Sequence, residues 1–120
     1  MKRRHQDLLA WQQAMVLVKL IYQATSGFPK HELFGLTSQM RRAAVSIPAN
    51  MAEDAGRTSQ KEFLQFLAIA RGSLNELHTL TLIAVDLEYI AEATEIQNLI
   101  DRVFGLLGGL INTQRKLAAR

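Results

Sequence analysis

Apolar residues recur every three or four positions along most of this chain, with no sustained alternation. A spacing of three to four is the period of an α-helix presenting one face to a core. The spacing predicts a first helix from about Asp7 to Thr25. Leu8, Trp11, Met15, Val18 and Tyr22 form its stripe, widened by Ala14, Leu17 and Ile21. Asp7 is placed to cap its start. Ser26-Gly27-Phe28-Pro29 ends it, because glycine suits the residue past a helix C-terminus and proline blocks continuation.

A second helix is predicted over roughly Lys30 to Ala55, with Leu33, Leu36, Met40, Ala43 or Ala44, Ile47 and Met51 as its stripe. Pro48 falls inside it. An internal proline removes one backbone hydrogen bond and costs about 3 kcal/mol in a plain helix. The stripe keeps its phase across the proline, which favours one kinked helix over two short ones. Ser59-Gln60-Lys61-Glu62 reads as a capping box and opens a third helix. Phe63, Phe66, Leu67, Ala70, Leu74, Leu77, Thr81 and Ala84 carry it to about Leu87 or Tyr89. A fourth runs from about Thr94 to Ala118, with Ile96, Leu99, Val103, Leu106, Leu107, Leu110 and Leu117.

Long helices joined by short connections must run antiparallel to their neighbours. The expected fold is therefore all-α, an up-down-up-down four-helix bundle, in one domain over 1–120 with short basic tails at 1–6 and 115–120. Gly72 beside Ser73, and Gly105, Gly108 and Gly109, fall inside helices, where each costs about 1 kcal/mol against alanine. Their retention implies close packing, against a helix of the same chain or of another copy.

Composition narrows the function. The chain has 120 residues, which suits one globular domain. It has no cysteine, which removes disulfides, zinc-thiolate sites and cysteine nucleophiles. No apolar run approaches the roughly 18 residues of a spanning helix, and the start, Met1-Lys2-Arg3-Arg4, is not followed by the apolar stretch of a signal peptide. A cytoplasmic location is expected. The net charge of +3 is modest, but the topology polarises it. One end collects Lys2, Arg3, Arg4, Arg57, Lys61, Arg115, Lys116 and Arg120 against Asp7, Glu53, Asp54 and Glu62. The other holds Glu32, Asp86, Glu88, Glu92 and Glu95 against Lys30. Arg41, Arg42 and Arg71 lie mid-helix and extend the basic surface along one side. A solvated surface is the plainer reading of these charges. A mid-helix arginine pair among apolar residues calls for a partner, such as an acid at Glu76 or Glu53.

Catalytic patterns are missing. There is no HExxH, no phosphate-binding glycine loop and no GxGxxG. Di-iron bundles need Glu-x-x-His pairs, whereas Glu76-Leu77-His78 points its two side chains to different faces. His5, His31 and His78 are scattered, and Ser46, Ser59 and Ser73 have no histidine beside them. No catalytic residue, metal site or cofactor is expected. Trp11 reads as core. In Ser46-Ile47-Pro48-Ala49-Asn50, the polar residues read first as local partners for backbone groups that the proline leaves open.

The segment from Gln39 to Glu53, Gln-Met-Arg-Arg-Ala-Ala-Val-Ser-Ile-Pro-Ala-Asn-Met-Ala-Glu, resembles the signature of a bacterial four-helix bundle family, the proteins encoded in intervening sequences of large-subunit ribosomal RNA genes. The flanks agree: Asp7-Leu8 with Trp11, Phe28-Pro29 with Glu32, Gly35-Leu36, Gly56-Arg57, and the run Ala70-Arg71-Gly72-Ser73-Leu74-Asn75-Glu76-Leu77. The resemblance covers about residues 7 to 90, and the fourth helix agrees only in character. Asp54 stands where the family usually has glycine. As family positions the resemblance singles out Trp11, Pro29, Ser46, Pro48, Asn50, Glu53, Gly72, Ser73 and Glu76. It implies a homo-oligomeric ring, commonly a pentamer, and relatives that work beside a reverse transcriptase and RNA as retroelement accessory proteins. Two functions follow as expectations. One is a non-enzymatic protein that binds RNA or DNA through Arg3, Arg4, Arg41, Arg42, Arg57, Lys61, Arg71, Arg115 and Lys116. The other is a structural module that binds protein alone.

Overall fold

The computed structural model describes residues 8–53 and 59–119. Four α-helices account for most of them: α1 (Leu9–Thr25), α2 (Leu36–Met51), α3 (Gln60–Asp86) and α4 (Thr94–Ala118). No strand occurs among the described residues. Each helix packs on two neighbours, α1 on α2 and α4, and α3 on α2 and α4. The cross-section is nearly square, with extents of 49 × 25 × 21 Å.

Cross-helix contacts show the antiparallel arrangement. Between α2 and α3, Ser73 Oγ donates to Ser46 Oγ at 2.8 Å. Towards one end, Tyr89 Oη donates to Glu32 Oε2 at 2.9 Å, so a later residue on the α3 side meets an earlier one on the α2 side. The Phe28 and Tyr89 rings lie 5.3 Å apart at the same end, tying the α1–α2 connection to the α3–α4 connection. Leu17, Ile21, Met40, Ile47, Leu67, Leu74, Leu77 and Leu107 are fully buried between the four helices.

Ser59 caps the third helix as expected: its Oγ accepts from the Glu62 N–H at 3.1 Å. The helix stops at Asp86 in a Schellman turn, earlier than the apolar pattern indicates. The Tyr89 N–H donates to the Ala84 carbonyl and the Glu88 N–H to that of Val85, both at 2.9 Å. Glu88 takes the left-handed position, φ 63°, that glycine usually fills. The α4 bounds agree with the pattern, and Glu92 caps its start, accepting from the Thr94 N–H at 2.9 Å. The Thr94 hydroxyl and that backbone bond hold the Glu92 carboxyl below its usual range.

Three expectations change. The second helix begins at Leu36, six residues late. Lys30–Glu32 is a separate 3-10 turn that opens after Pro29, and Leu33 is exposed. Glu32 causes the restart by accepting from the Leu36 N–H at 3.1 Å. A Cβ on Gly35 would sit 2.6 Å from that same Glu32 Oε1, so a side chain there would displace the carboxylate from its cap. α2 then passes through Pro48 as one helix to Met51.

On α1 the buried stripe is Ala10, Ala14, Leu17, Ile21 and Thr25. The stripe expected to lead, Leu8-Trp11-Met15-Val18-Tyr22, lies beside it. Trp11 and Val18 are half-buried against the core, while Met15 and Tyr22 are 45% and 43% exposed. On α4, likewise, Ile100, Ile111 and Gln114 are buried, and Leu117 is exposed. Finally, nothing within 4 Å meets a Cβ built on Gly72, Gly105, Gly108 or Gly109. Close packing within the chain is not why these glycines are there.

Candidate functional site

Sequence reasoning nominated nine cations for one surface, and the fold divides them. Arg3, Arg4 and Arg57 lie outside the described residues, as do Lys2, Asp7, Asp54, Gly56 and Arg120. Lys61, on the first turn of α3, and Arg115 and Lys116, on the last turn of α4, share one end of the bundle and are exposed. Glu53 and Glu62 are exposed at that end too. The opposite end carries Glu32, Asp86, Glu88, Glu92 and Glu95 with Lys30. The described residues thus keep the predicted axial separation of charge.

Arg41 and Arg42 do not join that end. Ser46 faces Ser73 across α2 and α3, which places Arg41 level with His78. Lys61 is then about 25 Å further along the axis at 1.5 Å per residue. Arg41 is half-buried and has partners other than the expected acid. Its Nε–H donates to Thr25 Oγ1 at 2.9 Å, and its guanidinium carbon stands 4.6 Å above the Tyr22 ring. A guanidinium over an aromatic face is held by the ring quadrupole. Thr25 is fixed in turn, its buried hydroxyl donating to the Ile21 carbonyl at 2.7 Å. Arg41 therefore pins α2 to α1. Arg42 is exposed, and Arg71 on α3 is half-exposed.

Of the family positions, Ser46, Asn50, Ser73 and Glu76 gather at the α2–α3 seam. Asn50 Nδ2 donates to the Ser46 carbonyl at 2.7 Å and to Ser46 Oγ at 2.9 Å, and Ser73 completes the chain of bonds. The carbonyl that loses its partner to Pro48 is that of Ala44, four residues earlier. Asn50 serves Ser46 instead, so this polar cluster locks two helices together. Beside it, Arg42, Ser46, Ser73 and Glu76 line a shallow polar groove of about 340 Å³. Gly72 is exposed next to Ser73, and Glu53 sits just past the end of α2.

Two surfaces gave no sequence signal of function. A groove of about 580 Å³ runs between α1 and α2 over Tyr22, Thr37, Arg41 and Val45, with Leu33 and Phe34 at its end. Phe34 is 92% exposed. A second groove of about 570 Å³ lies between α1 and α4, over Val16, Leu20 and Leu99, with Lys19, Glu95 and Arg102 at its rim. The Arg102 Nε–H donates to Gln13 Oε1 at 3.0 Å there. The signal that could have found them is the scarcity of charge on α1, where Lys19 is alone in 17 residues.

Among the described residues, no three histidine, aspartate or glutamate side chains come together as a metal site requires. No helix among them is long and apolar enough to cross a membrane. Glu32 and Tyr89 form a structural titrating pair. Glu32 is held below its usual range by the Leu36 N–H and then by the Tyr89 hydroxyl, and Tyr89 is raised by the same carboxylate.

No curated protein matches the chain. The family model described as 23S rRNA-intervening sequence protein matches residues 6–109, which takes in most of α4 and so extends the resemblance beyond residue 90. With four packed helices and a match over most of its length, the chain belongs to the 23S rRNA-intervening sequence protein family.

Proposed function

We propose that this is a non-enzymatic, cytoplasmic bundle that assembles with copies of itself and binds structured RNA through phosphate contacts at its basic end. The observation that carries this reading is the separation of charge along the axis. Lys61, Arg115 and Lys116 are exposed at one end, and five acids stand at the other. A single copy offers few cations, and linking several copies multiplies weak contacts into useful avidity. Such binding discriminates little between sequences, DNA included, and weakens with salt. A pentamer and a reverse transcriptase partner belong to the same reading, on the strength of the family resemblance.

The test is a titration of structured RNA at two salt concentrations. Affinity should fall steeply between them. Replacing Lys61, Arg115 and Lys116 together with Glu should flatten the log–log slope by about 2–2.7 for each copy that contacts the RNA, at roughly 0.7–0.9 for each phosphate no longer neutralised. Absence of binding at low salt refutes the reading. It would leave the second one, a protein-interaction module, which the near-complete exposure of Phe34 favours.

A further inference from the structure

Sequence order names Glu76 as a partner for the mid-helix arginines. The fold brings Arg42 and Glu76 to one groove and leaves them unpaired. Gln39, Arg42 and Ser46, spaced by three and four residues, share one face of α2, and Ser73 and Glu76 share one face of α3. Arg42 and Glu76 are exposed, and neither makes an ion pair or hydrogen bond among the described residues. The floor between them is fixed. Asn50 donates to the Ser46 carbonyl at 2.7 Å and to its hydroxyl at 2.9 Å, and the two serine hydroxyls meet at 2.8 Å. Two hydroxyls carry two protons, and only one of these lies between them. The other meets no acceptor among the described residues. The groove therefore offers uncommitted donors at Arg42 and the serine pair, and two uncommitted acceptor oxygens at Glu76.

A ligand that satisfies this set presents acceptors to the arginine and, next to them, two donors to the carboxylate. Among the RNA bases only guanine does so. Its O6 and N7 accept, and its N1–H and N2 amino group are adjacent donors. Adenine and cytosine offer a carboxylate one amino group each, and uracil sets its single N–H between two carbonyls that a carboxylate repels. We infer that the α2–α3 groove takes an unpaired guanine of a bound RNA. Glu76 accepts from N1–H and the N2 amino group, and Arg42 donates to O6 and N7. Arginine on O6 and N7 is the commonest specific contact to this base, and unpaired RNA bases are the ones that proteins read by these edges. The inference rests on the RNA binding proposed above and adds what phosphate contacts lack, since those position a strand without reading it. Ser73 stands about 18 Å along α3 from Lys61, at 1.5 Å per residue. A stem held at the basic end therefore reaches the groove with its loop.

Fluorescence anisotropy at low salt tests this with hairpin RNAs that differ at one unpaired loop base, which is G, A, C, U or inosine. The guanine hairpin should bind roughly 5- to 150-fold more tightly than the A, C and U hairpins, the discrimination of one bidentate pair. Inosine keeps O6, N7 and N1–H but lacks the N2 amino group, so it should fall between guanine and the rest. Glu76→Gln should close the gap between guanine and inosine, with unchanged helical circular dichroism because Glu76 makes no bond within the fold. The Lys61, Arg115 and Lys116 variant should instead weaken all five hairpins alike. No binding of any hairpin overturns the RNA reading and this inference together. Binding with equal affinity for all bases, as when the seam serves a protein partner, overturns the inference alone. A guanine preference that Glu76→Gln leaves intact does the same.

Discussion

Gly105→Ala should stabilise the folded chain. Gly105 lies well inside α4 and is exposed, and a Cβ built on it meets no atom within 4 Å. The added methyl therefore has no packing penalty. It removes the conformational freedom that glycine keeps in the unfolded chain, a gain of about 0.5–1 kcal/mol in a helix interior. For a chain of this size that is a rise of roughly 2–6 °C in Tm. Circular dichroism melts of the wild type and the variant at matched concentration measure it. Gly35→Ala is the control of opposite sign, because its Cβ would push the Glu32 carboxylate away from the Leu36 N–H that it caps. A fall in the Tm of Gly105→Ala would refute the reasoning, by showing a neighbour on that face.

Two further outcomes follow from the acidic end. Glu88→Gly should raise stability by about 1 kcal/mol, because Glu88 occupies the left-handed position of the Schellman turn at φ 63°, which a side chain disfavours; a urea melt giving no gain would contradict that. Glu32→Gln should lower Tm at neutral pH and not in acid. The Leu36 N–H and Tyr89 hydroxyl depress the folded pKa of Glu32 below its ordinary 4.5, so its stabilisation is present above that value and lost as pH falls through the lower folded one. A difference between wild type and variant that persists unchanged well below pH 4 would rule out this linkage.

The number and order of the helices were legible because their signals are local. The Ser59 capping box, the Gly27-Phe28-Pro29 stop and the α4 bounds each depend on a few adjacent residues. The start of α2 was not legible, because it depends on Glu32 reaching the Leu36 N–H and the Tyr89 hydroxyl, the latter 57 residues away. The candidate site was legible in part. Sequence order placed Lys61, Arg115 and Lys116 at one end, since topology alone decides that. It grouped Arg41 with them, because charge in a sequence does not reveal that a guanidinium is already held by Tyr22 and Thr25.

The α1 stripe shows why periodicity misjudged the core. A helical wheel reports which residues share a face and not what that face meets. Trp11, Met15 and Tyr22 are larger than Ala10 and Ala14 and offer more apolar surface, so the wheel directs them inward. The bundle instead buries the alanines with Leu17 and Ile21 and leaves the larger side chains at the edge. That choice leaves Met15 and Tyr22 as apolar surface that the fold of one chain does not bury. The displaced stripe, like the exposed Phe34, therefore follows from which side chains fit the centre of four packed helices and not from apolar area alone.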